Sequence, residues 1–189
     1  DGHDEAEAVA FLSPYRHIVD SIMNPVVGYS AKYMASQRPE SELSNLLADI
    51  MVCAARDFQE QADFGVYNMG GIRAPLAEGV VTFGDVVDIA PFDNKIVFGT
   101  LSGADVMELF RQMAMAGGEG VSHAVRMVIT PEGTLKRATL NGEEIDPGKD
   151  YRFATHDFLL AGNDKMTAFK RSRDIHIPQG ERNDMRSII

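Results

Sequence analysis

Residues 96–118 of the chain, IVFGTLSGADVMELFRQMAMAGG, contain the pattern that decides the fold. The first part, residues 96–101, is a short apolar run of the kind that forms a buried strand. Ser102 follows as a helix N-cap. The apolar side chains after it recur at helical spacing until Gly117-Gly118 ends the helix, at Val106, Leu109, Phe110 and Met113. A strand that leads directly into an amphipathic helix predicts a domain of the α/β class.

Three further helices are predicted before this stretch. The first covers residues 5–23 and ends at Asn24-Pro25, because the residue before a proline disfavours helical geometry. A short helix is expected after Thr82, which forms a T-x-x-D helix start with Asp85. The remaining helix lies between these two in the sequence and has Ser41 as its N-cap. Its apolar positions recur at 3.6-residue spacing, at Leu43, Leu46, Leu47, Ile50, Ala54 and Phe58.

Short strands are predicted on both sides of the opening stretch, and those after it are joined by tight turns. Asn141-Gly142 is a strong hairpin dipeptide, and Pro131-Glu132-Gly133 is a turn between two strands. No internal repeat or low-complexity linker divides the chain. We therefore predict one domain over residues 1–189, of the α/β class (α+β type), with a mixed β-sheet flanked by helices. The predicted strands cover residues 26–33, 64–67, 96–101, 125–130, 135–140 and 151–155.

The composition is that of an ordinary globular protein with an acidic charge balance. Of the 189 residues, 44% are hydrophobic and 24% are charged, and the net charge is −10. A protein that binds nucleic acid polymers needs a clustered basic face, so the charge argues against that class, although a few arginines suffice for one small anion. No apolar run approaches the roughly 18 residues of a membrane-spanning helix, and we expect no membrane span.

The cysteine content and the first residues bear on cellular context. Cys53 is the single cysteine, so no intrachain disulfide can form, and its apolar surroundings predict a buried, unreactive thiol. The sequence starts at Asp1 without an initiator methionine. We therefore expect a processed or trimmed chain, so that any export signal would lie outside the sequence.

Two features of the sequence could form a ligand site. Gly70-Gly71 followed by Arg73 allows the backbone to approach a ligand closely beside a planar guanidinium; the alternative is a tight turn with a solvated arginine. Phe92 and Phe158 both lie in predicted loops, where two aromatic rings can clamp a flat base by stacking. The alternative is that both phenylalanines belong to the core.

No catalytic or metal site is predicted. The histidines are scattered, and Asp174-Ile175-His176 has the D-x-H form that opens the metal site of calcineurin-like phosphoesterases. That site also requires G-D-x-x-D, G-N-H-E or G-N-H-D, and G-H-x-H blocks, and the sequence contains none of them. The D-x-H is therefore interpreted as an incidental surface pair. The sequence also lacks G-x-S-x-G, P-loop and H-E-x-x-H motifs.

Four blocks in register resemble the C-terminal domain of the 5′-nucleotidase family. The family pattern is N-G-G-G-I-R, P-F-x-N, L-T-G and F-L-A-x-G-G-D-G. The corresponding segments here are residues 68–73 (NMGGIR), 91–94 (PFDN), 101–103 (LSG) and 158–164 (FLLAGND). Residues 41–49 (SELSNLLAD) resemble the family's E-x-x-x-G-N-L-x-x-D-A helix start. The resemblance runs from about residue 26 to residue 170, after the N-terminal helix that residues 1–25 contain.

The resemblance implies the nucleoside-binding half of a phosphoester hydrolase. In that family a separate N-terminal domain holds two divalent metals and cleaves the phosphoester, so these metals are expected in a partner metallophosphoesterase domain or chain and no cofactor is expected here. This chain alone would then be inactive. Family members are commonly exported, which implies a periplasmic or cell-surface location. The alternative is a non-catalytic binding or interaction domain that has kept the fold and takes a different ligand.

The resemblance also implies which residues contact the substrate. Phe92 and Phe158 would sandwich the base, with Asn68 near it, and Arg73 and Asp164 would contact the ribose or phosphate side. Met69, Asn163 and Lys165 stand where the family has glycines, and Met166 stands where an aromatic is common. A family arginine falls at Gln37, one place from Arg38. The predicted substrate-binding residues are Asn68, Gly70, Gly71, Arg73, Phe92, Asn94, Phe158, Asp164 and Arg38.

Overall fold

The computed structural model describes the backbone of residues 2–189 and the side chains of residues 8–189. The helices are α1 (Gly2–Met23), α2 (Glu42–Ala54), α3 (Phe83–Ile89), α4 (Gly103–Met115), α5 (Asp157–Leu160) and α6 (Met185–Ile188). The strands are β1 (Val26–Ser30), β2 (Phe64–Tyr67), β3 (Gly79–Thr82), β4 (Ile96–Ser102), β5 (Gly120–Val121), β6 (Val125–Ile129), β7 (Leu135–Leu140), β8 (Glu143–Glu144), β9 (Asp150–His156) and β10 (Arg173–His176).

A five-stranded sheet forms the centre of the molecule, in the order β10-β4-β9-β2-β5. Strands β2 and β9 are parallel, and the other neighbours are antiparallel, so the predicted mixed sheet is confirmed. The β4–β9 ladder is unbroken and places Ile96 opposite His156 and Ser102 opposite Asp150. This ladder joins the strand predicted from the opening stretch to the last long strand of the chain.

Helices cover both faces of the sheet. On one face, α2 packs Leu43, Leu47 and Met51 against a cluster that includes Phe98. On the other face, α4 and the β6–β7 hairpin enclose a second cluster of buried side chains. The members of this second cluster include Phe64, Val66, Leu101, Val106, Leu109, Phe110, Met113, Phe153 and Phe169.

The predicted N-caps of α2 and α4 and the predicted glycine end of α4 are confirmed. The hydroxyls of Ser41 and Ser102 accept hydrogen bonds from the backbone of Ser44 and Asp105, which caps α2 and α4. After α4, Gly118 has φ 106°, and a Cβ there would lie 2.1 Å from the carbonyl oxygen of Pro39. Only glycine satisfies both the left-handed backbone and this close approach.

The two local signals at Thr82 and Asn141-Gly142 are also confirmed. Thr82 and Asp85 form a capping box at the start of α3, with the backbone nitrogen of Thr82 donating to Oδ2 of Asp85 at 2.7 Å. Asn141 and Gly142 both have positive φ, 52° and 84°, and join β7 to β8. These values are those of a type I′ hairpin turn.

Two predicted boundaries and one predicted environment are wrong. The strand predicted for residues 26–33 ends at Ser30, because β1 pairs only with the short β3 in a separate two-stranded sheet. Helix α2 ends at Ala54, and residues 55–58 continue as a 3-10 turn. Cys53 is exposed rather than buried. It lies two residues after the buried Met51, about 200° around the helix, so its thiol faces solvent.

Helix α1 contacts α3, and none of its described side chains belongs to the two core clusters. Several apolar side chains along it are exposed, including those of Phe11 and Ile18. Within the part of the chain that the structure describes, no helix is both long enough and apolar enough to span a bilayer.

Candidate functional site

Three loops meet at one edge of the central sheet because of the strand directions. Strands β2 and β9 are parallel, so their carboxyl ends lie at the same edge. Strand β4 is antiparallel to β9, so it begins at that edge. The loop after β2, the loop after β9 and the residues before β4 are therefore neighbours in space. These are the segments that contain residues 68–71, 157–164 and 91–94.

The three loops enclose a cavity of about 160 Å³. Of the predicted site residues, Arg38 and Arg73 lie outside its lining. The lining consists of Asn68, Gly70, Gly71, Phe92, Asn94, Phe158 and Asp164. A larger cavity of about 330 Å³ lies between β1 and α2, but its lining is predominantly apolar. The smaller cavity combines aromatic rings with converging polar groups, which is the composition of a specific ligand site.

The aromatic part of the wall is held on ordered loops. Phe92 is 48% exposed and Phe158 is 39% exposed, so neither ring belongs to the core. The backbone of Phe158 is fixed on both sides, because its nitrogen donates to Asp157 and its oxygen accepts from Nδ2 of Asn163. The two rings therefore offer apolar faces to the cavity and take little part in the packing of the core.

The glycine loop allows the backbone to form the floor of the cavity. Residues 69–71 make one 3-10 turn, in which the nitrogen of Gly71 donates to the oxygen of Asn68 at 3.0 Å. A Cβ at Gly71 would lie 2.6 Å from Oδ1 of Asn68, so a larger residue would displace that side chain. Met69, which replaces a family glycine, is buried and lies outside the lining of the cavity.

A hydrogen-bonded chain of three side chains forms the polar wall. Nδ2 of Asn68 donates to Oδ2 of Asp164 at 2.6 Å, and Oδ1 of Asn68 lies 3.0 Å from Nε2 of His156. Since Oδ1 of Asn68 can only accept, Nε2 of His156 carries the proton. Asn68 is buried, whereas Asp164 is exposed at the cavity mouth.

The histidine of this chain of side chains is neutral. His156 is fully buried, and burial lowers its pKa to about 4. Its other ring nitrogen, Nδ1, has no hydrogen-bond partner among the side chains and backbone that the structure describes. His156 was not predicted as a site residue, because it lies two positions before the F-L-L-A-G block and belongs to none of the motifs.

Glu119 supports the glycine loop through a hydrogen bond to its backbone, and it too was not predicted from the sequence. Its carboxylate is buried and accepts hydrogen bonds from the backbone nitrogen of Met69 at 2.7 Å and from Nη2 of Arg38 at 2.5 Å. Burial raises the pKa of Glu119, and the negative charge of Asp164 raises it further. Arg38 therefore contacts the loop through Glu119 and does not reach the cavity lining.

Arg73 lies on the outside of the glycine loop. Its guanidinium is exposed, and Nη1 lies 3.4 Å from the carbonyl oxygen of Gly70. Its backbone nitrogen donates to the oxygen of Ile89, which holds the end of the loop against α3. The side chain is thus free to turn toward an anion at the mouth of the cavity.

The D-x-H pair lies on β10, away from these loops. Both Asp174 and His176 are exposed, and Nδ1 of His176 lies 2.8 Å from the carboxylate of Glu60. Among the described side chains of residues 8–189, no group of three or more histidine, cysteine, aspartate or glutamate residues is placed to hold a metal ion.

Comparison with known proteins identifies relatives over most of the chain. Residues 26–171 match the family model of the 5′-nucleotidase C-terminal domain. The protein UshA of Escherichia coli is 25% identical over 164 residues, which cover 85% of this chain and 30% of that protein. The trifunctional nucleotide phosphoesterase protein YfkN of Bacillus subtilis is 28% identical over 190 residues, which cover 89% of this chain and 13% of that protein.

A solved structure shares the fold. The 5′-nucleotidase precursor of Thermus thermophilus superposes with a TM-score of 0.79 at 22% identity, covering 100% of this chain and 39% of that one. The chain spans about a third or less of the length of UshA and of YfkN. Because the family model covers most of the sequence, the chain belongs to the 5′-nucleotidase C-terminal domain family.

Proposed function

We propose that the cavity at the sheet edge binds the nucleoside part of a nucleotide. The observation that carries this proposal is the pair of half-exposed phenylalanines, Phe92 and Phe158, in the wall of a cavity that also contains a carboxylate and an amide. Flat bases stack on aromatic rings, and each such contact contributes roughly 1–3 kcal/mol. The cavity volume of about 160 Å³ is small for a whole ligand, so the base is enclosed and the rest of the ligand extends outward.

The polar groups at the mouth match the remainder of a nucleotide. Asp164 is a carboxylate that can accept hydrogen bonds from vicinal ribose hydroxyls. Arg73 is exposed beside Gly70 and offers a fork of N–H donors that suits a phosphate. The net charge of −10 opposes binding of nucleic acid polymers but not of a single nucleotide held by one arginine.

In this proposal the chain is the substrate-binding half of a 5′-nucleotidase-type hydrolase. A metallophosphoesterase domain, on the same polypeptide or on a partner chain, supplies two divalent metals that polarise the phosphoryl group. In this proposal the residues of this chain bind and orient the substrate, through the aromatic and polar groups of the cavity. From the family we propose that the protein is exported, either to the periplasm or to the cell surface.

A second candidate is a non-catalytic binding domain with a different ligand. Lys165 directly follows Asp164, where the family has a glycine, and this exposed residue adds a positive charge next to Asp164 in the sequence. This substitution favours a ligand that differs from a nucleoside near the ribose position.

A ligand screen separates the two candidates. Thermal unfolding of the chain is measured with adenosine, guanosine, cytidine, uridine and AMP. A ligand at 100 times its dissociation constant stabilises the folded state by about 2.7 kcal/mol. The expected result is stabilisation by at least one nucleoside, with the effect reduced in Phe158→Ala. Absence of stabilisation by all five compounds at millimolar concentration would contradict nucleoside binding and favour the second candidate.

A further inference from the structure

His156 is a buried histidine at the end of β9 whose ring contacts two residues of the cavity wall. Nε2 donates to Oδ1 of Asn68 at 3.0 Å, and the ring centroid lies 6.2 Å from that of Phe158. Tyr67 packs edge-on against the same ring at 5.2 Å, and the backbone of His156 pairs with that of Ile96 in the β4–β9 ladder. The imidazole is thus held by Tyr67 at the end of β2, by Asn68 after it and by Phe158 on α5.

The orientation of the Asn68 amide depends on this contact. An asparagine amide can be turned with either its oxygen or its nitrogen toward a given neighbour. Beside the Asp164 carboxylate only the nitrogen can donate, so the oxygen must face His156. If the proton were on Nδ1 of His156, the lone pair of Nε2 would face the Asn68 oxygen and repel it. The histidine tautomer and the amide orientation are therefore coupled.

The coupled arrangement determines the polarity of the cavity wall. One hydrogen of the Asn68 amide is used by Asp164, and the second remains available on a side chain that lines the cavity. The wall therefore presents an N–H donor from Asn68 next to an acceptor from Asp164. A ligand that fits this wall offers an acceptor and a hydroxyl or amine donor side by side.

We propose that His156 is a positioning residue for the ligand site, which holds the Asn68 amide in the orientation that directs its nitrogen to Asp164 and the cavity. His156 lies behind the wall and does not line the cavity itself. The ring is neutral at pH 7, because burial lowers its pKa to about 4. The choice of nucleosides as ligands rests on the proposed function, whereas the positioning role does not.

The first test needs no ligand. Long-range ¹H–¹⁵N correlation spectra of the imidazole groups at pH 7 report which ring nitrogen carries the proton, and His156 is identified by the signal that His156→Gln removes. The expected result is a neutral ring protonated on Nε2. A neutral ring protonated on Nδ1 would overturn the proposal, because the Asn68 oxygen would then face the lone pair of Nε2 and have no donor.

The second test measures adenosine binding by calorimetry in variants of the chain. His156→Leu removes the donor and should raise the dissociation constant about tenfold, the equivalent of one hydrogen bond. His156→Gln places an amide N–H near the position of Nε2 and should stay within about threefold of the parent. Val106→Ala is the control, since it truncates a buried side chain of α4 that belongs to a core cluster and does not line the cavity, and it should leave binding unchanged.

A double-mutant cycle excludes a merely structural role. In the Asn68→Ala background, His156→Leu should have no further effect on the dissociation constant, because the amide that it positions is gone. An equal loss in both backgrounds, or a His156→Leu variant that melts earlier but binds adenosine like the parent, would overturn the proposal. If the parent binds no nucleoside, the proposed function fails, and the ring tautomer still decides the positioning role.

Discussion

The side-chain amide of Asn68 donates a 2.6 Å hydrogen bond to Oδ2 of Asp164, although 96 positions separate the two residues in the sequence. The bond ties the loop after β2 to the loop after β9 and completes the polar part of the cavity wall. Asp164 is exposed, so its carboxylate remains accessible to a ligand while one of its oxygens is held. Substitutions around this bond should therefore change ligand binding more than stability.

The phenylalanine pair gives the clearest contrast between binding and stability. Phe92→Ala and Phe158→Ala are each expected to reduce the binding free energy for adenosine by roughly 1–3 kcal/mol, because both rings line the cavity. Each should lower the free energy of unfolding by only about 1 kcal/mol, since the rings are partly exposed.

The control for this pair is Phe98→Ala, which truncates a fully buried ring and should cost roughly 3–5 kcal/mol of stability. Calorimetric titration and urea unfolding supply the two quantities. If both cavity variants bind adenosine like the parent, or if both lose as much stability as Phe98→Ala, the rings do not clamp a base.

Arg73→Ala is expected to weaken binding of AMP about tenfold, as loss of a charge-assisted contact with the phosphate does. Adenosine, which lacks the phosphate, should be affected less. The free energy of unfolding should change by less than about 0.5 kcal/mol, since the guanidinium is exposed and makes only a 3.4 Å contact with Gly70. The matched control is Arg111→Ala, which removes another exposed arginine, on α4. It should leave the affinities for AMP and for adenosine unchanged. Equal affinities of parent and Arg73→Ala would mean that the loop is only a turn.

Stability should fall as the pH is lowered from about 6.5 to about 4, because of His156. Burial lowers the pKa of this ring from the ordinary 6.5 to about 4, so in that range the unfolded chain binds a proton that the folded chain does not. Above pH 6.5 the ring is neutral in both states, and this effect no longer lowers the free energy of unfolding. Relative to that range, the loss at pH 4 amounts to roughly 3 kcal/mol. Glu119 acts in the opposite direction, because burial raises its pKa.

The effect of His156 on stability is obtained by subtracting the free energy of unfolding of His156→Gln from that of the parent at each pH. The effect of Glu119 cancels in this difference, since both proteins contain Glu119. The difference between parent and variant should shrink by roughly 3 kcal/mol between pH 7 and pH 4, measured by urea unfolding. A difference that is independent of pH in this range would show that the ring is solvated or already charged in the folded state.

Lys165→Gly is expected to stabilise the fold by up to about 1 kcal/mol. Lys165 has φ 66°, in the left-handed region that costs an L-residue roughly 1–2 kcal/mol, and this cost exceeds the extra entropy that glycine loses on folding. Lys149→Gly is the control, since Lys149 is also exposed but lies outside the left-handed region, and there glycine should destabilise. The melting temperatures of the two variants should therefore move in opposite directions, and a shift of the same sign in both would contradict the strain at Lys165.

The chain alone is expected to release no phosphate from AMP or from an aryl phosphate with added Mn²⁺, Zn²⁺ or Co²⁺. Two-metal phosphoester cleavage needs bridging ligands, and Asp174 and His176 are an exposed pair whose histidine is engaged with Glu60. Turnover above about 1 s⁻¹ that co-purifies with the chain and disappears in Asp174→Ala/His176→Ala would contradict this expectation.

Short-range signals in the sequence determined the helix starts, the helix ends and the hairpin turn. Ser41, Ser102 and Asn141-Gly142 act through bonds to residues a few positions away, so their roles do not depend on the rest of the fold. Three of the four spaced blocks, at residues 68–73, 91–94 and 158–164, also contain the residues that line the cavity. The chemical reason is that a glycine loop and phenylalanines in predicted loops are recognisable by residue type and order, whereas the exposure of the two rings is not.

Only the tertiary structure decided which groups are buried and which distant groups meet. His156 and Glu119 carry no local signal, and their roles arise because β9 and β5 place them beneath the loop after β2. Arg38 binds Glu119 rather than lining the cavity, and Cys53 faces solvent although its neighbours in the sequence are apolar. Burial and long-range pairing depend on how the strands are ordered in the sheet, and that order is set by the packing of the whole chain.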